Sequence, residues 1–242
     1  MVSTRPTSRR NSALVESAPL RATASSAGWP IAMIACRART IRRAPPGSSK
    51  ASSTACSPSP SPFRETGLML PSSLPAERTV ELVEAARGAA EAVGATDGPL
   101  HIEVMMTPGG PCVIEVNGRV GGSIPYIFDA VGDVNLFREA ARIALGIRPE
   151  TEPSFDGVGG MFNIHAPGEG RVTRLAGIDE ARELPGVRQM MVAVHEGDSV
   201  SSLLGLLGGM IRVICAAGSA DELFEIRDRV MDTVVYEVEP AS

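Results

Sequence analysis

Residues 98–122 read GPLHIEVMMTPGGPCVIEVNGRVGG, and they gather an unusual set of polar groups on what is otherwise a strand pattern. Both halves alternate with period two and meet at Thr107-Pro108-Gly109-Gly110-Pro111, the signature of a β-hairpin. With a five-residue loop symmetric about Gly109, Glu103 faces Glu115 and His101 faces Asn117. Opposed carboxylates have Cβ atoms about 5 Å apart. At an effective dielectric near 20 they repel by about 3 kcal/mol, a large share of a net stability of roughly 5–15 kcal/mol. A shared proton, a nearby arginine or a divalent cation could offset that repulsion. A hard cation such as Mg²⁺ takes oxygen ligands, commonly carboxylates plus phosphate oxygens, and the Asn117 carbonyl is a third oxygen on the same face. Arg119 lies just beyond, with a guanidinium fork suited to phosphate or carboxylate. Gly121-Gly122 allows backbone to approach a ligand closely. Such a set could hold a triphosphate and an acyl group; the plain alternative is a solvated strand face.

The elements that must position these residues follow from periodicity. On the first strand Ile102, Val104 and Met106 share one face and His101, Glu103 and Met105 the other; on the return strand Ile114 and Val116 oppose Glu115, Asn117 and Arg119. A helix is expected over Pro75–Val93, with Val80, Val83, Ala86, Ala90 and Val93 as its buried stripe and Gly94 as its stop. Gly118–Pro125 reads as a loop, and Val134–Leu145 as a helix capped by Asp133 and ended by Gly146. Arg148–Asp156 reads as a linker. A smaller unit then offers strands near Met161–His165, Arg171–Leu175, Gln189–His195, Ile211–Ala216 and Val234–Val238. Its helices fall at Asp179–Leu184 and after a capping box at Ser219–Glu222, where Leu223, Ile226 and Val230 form the stripe. Strands mixed with helices at short connections make the fold class α+β.

Charge divides the chain. Residues 1–62 hold eight arginines and Lys50 against Glu16 alone, a net of +8, which leaves −13 for the remainder of a chain totalling −5. The segment is rich in Ser, Ala and Pro and sustains no helical or strand period, so it is expected to be disordered. It reads as a transit peptide, a basic nucleic-acid arm, or a stretch with no evolved structure such as out-of-frame translation. One lysine and one tryptophan are few for a nucleic-acid arm, and the third reading is preferred. Expected domains are therefore 1–62, 63–150 and 151–242. Cys36, Cys56, Cys112 and Cys215 have no paired spacing, which points to a reduced, cytoplasmic setting. The apolar run Leu203–Ala217 is short and carries Arg212, so no membrane segment is expected.

The acid, turn and return-strand pattern, Glu103, then Ile114-Glu115-Val116-Asn117-Gly118-Arg119, then Gly121-Gly122-Ser123-Ile124-Pro125, resembles the carboxyl-terminal half of ATP-grasp ligases. Phe63-Arg64-Glu65-Thr66-Gly67 with Pro71, and the small unit from Val158, look similar to bacterial L-amino-acid ligases that make dipeptides. The resemblance implies an ATP-grasp carboxyl-terminal subdomain at 63–150 followed by a small α+β unit. It implies ATP and Mg²⁺ (or Mn²⁺) as cofactors and a carboxylate activated to an acyl phosphate, then attacked by an amine. Carried onto this chain, Glu103, Glu115 and Asn117 would hold the metal, while Asn117 and Arg119 would contact the nucleotide. Arg119 would stabilise the transferring phosphoryl group or the adduct, and Glu65, Arg119, Gly121 and Gly122 would contact substrate. Relatives often carry a histidine three residues after that glutamate, where this chain has Leu68. Residues 1–62 show neither the lysines nor the glycine-rich flap of a nucleotide clamp, so the chain reads as amino-terminally incomplete and is expected to bind Mg-ATP weakly or not at all by itself.

The function expected is an ATP-dependent carboxylate–amine ligase with an amino-acid or dipeptide-like product; the alternative is a non-catalytic remnant acting as an interaction domain. Partners are the small-molecule acid and amine, with a homodimer left open and neither nucleic acid nor membrane expected. His101, His165 and His195 read as structural or surface residues, Gly132 and Gly146 as turn and cap, and the Leu203–Gly209 run as a buried turn.

Overall fold

A computed structural model describes residues 67–201 and 209–240, together with the backbone of two strands, Val15–Ala18 (β1) and Cys36–Ala38 (β2). The rest of 1–62, Glu65 and residues 203–208 of the leucine- and glycine-rich run lie outside the described residues. From Gly67 the order is β3 (Gly67–Leu70), α1 (Ala76–Ala92), β4 (His101–Thr107), β5 (Gly110–Asn117), α2 (Ile124–Val131) and α3 (Leu136–Ala144). Then come β6 (Val158–Ile164), β7 (Gly170–Ala176), α4 (Ile178–Arg182), β8 (Val187–Val192), β9 (Ser199–Val200), β10 (Ile211–Ala217), α5 (Ala220–Thr233) and β11 (Val235–Glu239).

The largest sheet runs β2-β1-β3-β6-β10-β8, and all its pairings from β3 onward are antiparallel. A second sheet orders β11-β7-β9, and β4 pairs with β5 as a separate hairpin. This mixture of helices with antiparallel sheets is the α+β class expected. The sheet crosses the 150/151 boundary, since Gly67–Leu70 pairs with Gly159–Phe162, and one core spans it too, joining Leu68, Leu70, Ile127 and Phe128 to Met161 and Ile214.

Strand β6 explains how two helices reach the sheet closely. A Cβ on Gly159 would lie 2.7 Å from Ile127 Cγ2 and 2.8 Å from Val131 Cγ2, whereas one on Gly160 would lie 2.6 Å from Leu223 Cδ2. Successive residues of a strand point to opposite faces. The pair therefore seats α2 on one face and α5 on the other. In α5 the stripe Leu223, Ile226 and Val230 is buried as its spacing requires. Ser219 caps it by accepting from the Glu222 N–H, and Glu222 returns to the Gly218 N–H.

Three expectations need correction. In α1 the buried face is Leu82, Val83, Ala86 and Ala90, while Val80 and Val93 are 60% and 61% exposed. At about 100° per residue Val80 sits roughly 105° from the mean direction of that face, so branched side chains alone misled the choice. Second, the loop expected at Gly118–Pro125 ends at Ser123, because α2 begins at Ile124: Ile124, Ile127, Phe128 and Val131 recur at i, i+3, i+4, i+7 and are buried in it. Pro125 suits the first turn, where an N–H has no intrahelical acceptor. Third, α3 is capped by Asn135, whose side chain accepts from the Arg138 N–H at 2.9 Å. Asp133 instead accepts from the N–H and hydroxyl of Ser154 at 2.9 and 2.6 Å, and these bonds hold its carboxyl below the usual aspartate value.

Within α3, Glu139 is buried and fastens the helix to the chain that follows. Its carboxylate accepts from Arg138 Nε at 2.7 Å and from the Glu150 N–H at 2.8 Å, and pairs with Arg142 at 3.3 Å. Burial works to raise this carboxyl, but the Glu150 N–H and the two guanidiniums outweigh it and hold it below the ordinary glutamate value.

Candidate functional site

The hairpin β4–β5 is backed on one side by α1. Ile102 and Val104 are fully buried against Leu82, Ala86 and Ala90, with Leu100 beside them. The small alanines let the helix come close, and strand alternation then turns His101 and Glu103 to the opposite face. The apolar face thus determines where the acids point.

The register carries the expected pairs: Glu103 opposes Glu115 and His101 opposes Asn117. Nearer the turn it differs from the symmetric five-residue loop. Val104 opposes Val113 and Thr107 opposes Gly110, so the turn is the two residues Pro108-Gly109, and Ile114 is the extra residue of a β-bulge. Thr107 Oγ1 fixes that tight turn by donating to Gly110 O at 2.8 Å and accepting from the Gly109 N–H at 3.1 Å. Ile114 is consequently 48% exposed, and the two apolar faces do not match along the whole hairpin as its alternation suggested.

His101, Glu103 and Glu115 each offer a ligand atom, and these atoms lie within 4.8 Å of one another. A triangle of that side has corners about 2.8 Å from its centre, against roughly 2.1 Å for oxygen on a small divalent ion. Side-chain shifts below 1 Å would close the set, so the residues fit a divalent cation. Glu103 and His101 are half-buried and Glu115 is exposed. Exposure moves the repulsion between the acids from about 3 kcal/mol toward about 1 kcal/mol, the value in bulk water. Asn117 eases it further by donating from Nδ2 to Glu115 Oε1 at 2.8 Å.

Arg119 follows in the loop after β5, exposed, with Nη1 donating to Val120 O at 3.0 Å. Gly121 is small for a reason within the chain: a Cβ there would meet His101 Cδ2 at 2.8 Å and His101 Cγ at 3.3 Å. At Gly122 a Cβ would meet nothing within 4 Å. Periodicity placed His101 on the acidic face but gave no reason to rank it with the acids; its i, i+2 spacing from Glu103 was the available signal. Of the other histidines, His195 is exposed beside Asp198, in keeping with a surface role.

Residues 163–239 match the model of the L-amino acid ligase C-terminal domain 2. The structure is similar to an L-amino acid ligase from Bacillus licheniformis, with a TM-score of 0.65 at 22% identity over 73% of this chain and 45% of that one. Its fold is that of the ATP-grasp ligases. A biotin carboxylase domain of a 2-oxoglutarate carboxylase from Hydrogenobacter thermophilus, solved with MgADP, ADP and bicarbonate, shares the fold at a TM-score of 0.55 and 18% identity, over 73% of this chain and 40% of that one. Carnosine synthase 1 of Gallus gallus is 40% identical over 90 residues, which are 36% of this chain and 10% of that protein. The chain thus spans less than half the length of each of these ATP-grasp structures and a tenth of the synthase. The small unit that looked like an L-amino-acid ligase from Val158 onward coincides with the matched domain. Among the described residues no helix is long and apolar enough to cross a membrane.

Proposed function

We propose that this chain supplies the metal-binding hairpin and substrate-side domain of an ATP-dependent carboxylate–amine ligase. The observation that carries the reading is the convergence of Glu103 and Glu115 with His101 within 4.8 Å on one hairpin face, in a fold shared with ligases. Glu103 and Glu115 hold a divalent ion, Mg²⁺ or Mn²⁺, with the Asn117 carbonyl as a further oxygen ligand. When bound, that ion neutralises and orients the phosphate oxygens of ATP.

The remaining roles belong to the chain's own side chains. Arg119 keeps most of its guanidinium N–H groups beyond the bond to Val120 O, and it directs them at negative charge developing on the transferred phosphoryl group or the adduct. Gly122 leaves open space for substrate beside it, while Gly121 contributes by seating His101. Glu65, by the family resemblance, would contact the amine substrate. The products are an amide of amino-acid or dipeptide type, ADP and phosphate, in a cytoplasmic setting, with small molecules as the partners.

The test is ADP release by the full chain with ATP, magnesium and a pool of amino acids. Release that depends on an amine and disappears in Glu115→Gln supports the ligase. A folded chain that releases no ADP above the protein-free blank supports the non-catalytic remnant instead.

A further inference from the structure

We infer that His101 is a nitrogen ligand of the divalent-ion site, and that through it the site prefers a transition-metal ion such as Mn²⁺ or Co²⁺ to Mg²⁺. The inference rests on the metal-holding part of the function proposed above and is independent of turnover.

Three observations carry it. The atoms that converge are one imidazole nitrogen and one oxygen from each glutamate, all within 4.8 Å of one another. Second, the Asn117 amide is turned so that Nδ2 donates to Glu115 Oε1 at 2.8 Å. A carboxylate only accepts, so this amide must present its N–H to it. In this arrangement Nδ2 braces Glu115 and Oδ1 remains for the ion, and the donor that converges with the two carboxylates beside it is His101. Third, the imidazole has a fitted seat: its Cδ2 and Cγ lie 2.8 and 3.3 Å from where a Cβ of residue 121 would be, so only glycine leaves the ring where it is. His101 opposes Asn117, and Glu103 opposes Glu115, so each strand contributes one donor pair to the face.

Donor chemistry then decides the ion. Mg²⁺ demands oxygen and dehydrates reluctantly, whereas imidazole nitrogen suits first-row transition ions, which bind mixed N/O sets in the order Mn²⁺ < Fe²⁺ < Co²⁺. Two carboxylates alone would leave Mg²⁺ and Mn²⁺ closely matched. The ring adds affinity for one class and little for the other.

The experiment uses the full chain without an affinity tag. Calorimetric titration with MnCl₂ and MgCl₂ is paired with electron spin-echo envelope modulation of the Mn²⁺-bound protein, which detects a coordinated ¹⁴N directly. Wild type is expected to bind Mn²⁺ at least about tenfold more tightly than Mg²⁺ and to show nitrogen modulation. His101→Gln should weaken Mn²⁺ by at least about tenfold, the lower end of what losing even an outer-shell partner costs, leave Mg²⁺ within about twofold and abolish the modulation. Glu115→Gln, at an exposed position, should remove Mn²⁺ binding at this site and the nitrogen signal with it, which excludes His165 and His195 as its source. An unchanged Mn²⁺ affinity in His101→Gln, or wild-type Mn²⁺ without nitrogen modulation, overturns the inference. If far-UV circular dichroism shows that His101→Gln fails to fold, the wild-type spectrum and Glu115→Gln decide the matter alone. Nitrogen-coupled Mn²⁺ without ADP release would sink the ligase reading and uphold this one; Mg²⁺-supported release without nitrogen coupling would do the reverse.

Discussion

Replacing Glu115 by glutamine should stabilise the metal-free protein and destabilise the metal-bound one relative to wild type. The ligand atoms of Glu103 and Glu115 lie within 4.8 Å. At that separation two unit charges repel by about 1 kcal/mol in water and about 3.5 kcal/mol at an effective dielectric of 20. Because Glu115 is exposed and Glu103 half-buried, a relief of about 1–2 kcal/mol is expected. Glutamine keeps an oxygen for the Asn117 N–H, so the bond now at 2.8 Å need not be lost. For a folded part of this size the gain corresponds to a melting temperature about 2–8 °C higher. The assay is thermal unfolding in EDTA at low ionic strength, repeated near 0.5 M NaCl, where screening should shrink the difference. Adding Mn²⁺ at about 100 times its Kd should stabilise wild type by about 2.7 kcal/mol and leave Glu115→Gln unmoved, reversing the order. A variant that melts below wild type in EDTA, or an order that does not reverse with metal, would refute the claim that these facing acids are strained without an ion.

Other outcomes follow from the packing. Gly159→Ala places a methyl 2.7–2.8 Å from Ile127 and Val131, so it should lower stability by about 1–3 kcal/mol in urea unfolding. Ile102→Ala empties a fully buried position between α1 and the hairpin and should cost about 2–5 kcal/mol, with divalent-ion affinity falling in the same variant. The Glu139 carboxyl titrates below its ordinary value of 4.5, so its contribution is present above the unfolded value and is lost as pH falls through the lower folded one. Wild type should therefore lose melting temperature from about pH 4.5 downward, and Glu139→Gln should show a smaller acid-side decline.

The sequence by itself determined the elements whose apolar spacing is unambiguous. Leu223, Ile226 and Val230 with a Ser219 cap could only be one face of a helix, and Ile102 and Val104 alternating with Glu103 could only be a strand with its acids turned from the core. The facing of Glu103 by Glu115 was expected from a symmetric five-residue loop, yet it holds for another reason: the turn is the shorter Pro108-Gly109, and the extra residue Ile114 restores the pairing beyond it. Local pattern did not reveal the bulge at Ile114: an extra residue leaves alternation intact on each side and shows only when the partner strand is laid against it. Helix α2 was legible in its 124, 127, 128, 131 spacing, yet the flanking Gly and Pro are also the residues of loops. Only the tertiary structure decided that Gly159 and Gly160 exist to seat α2 and α5, and that Gly121 exists to seat His101. A glycine's purpose is the volume it leaves to a neighbour, and that neighbour is distant in sequence, so nothing local encodes it. The His101–Glu103 spacing already put the ring on the acidic face; the tertiary structure added that its ligand atom lies within 4.8 Å of those of both carboxylates.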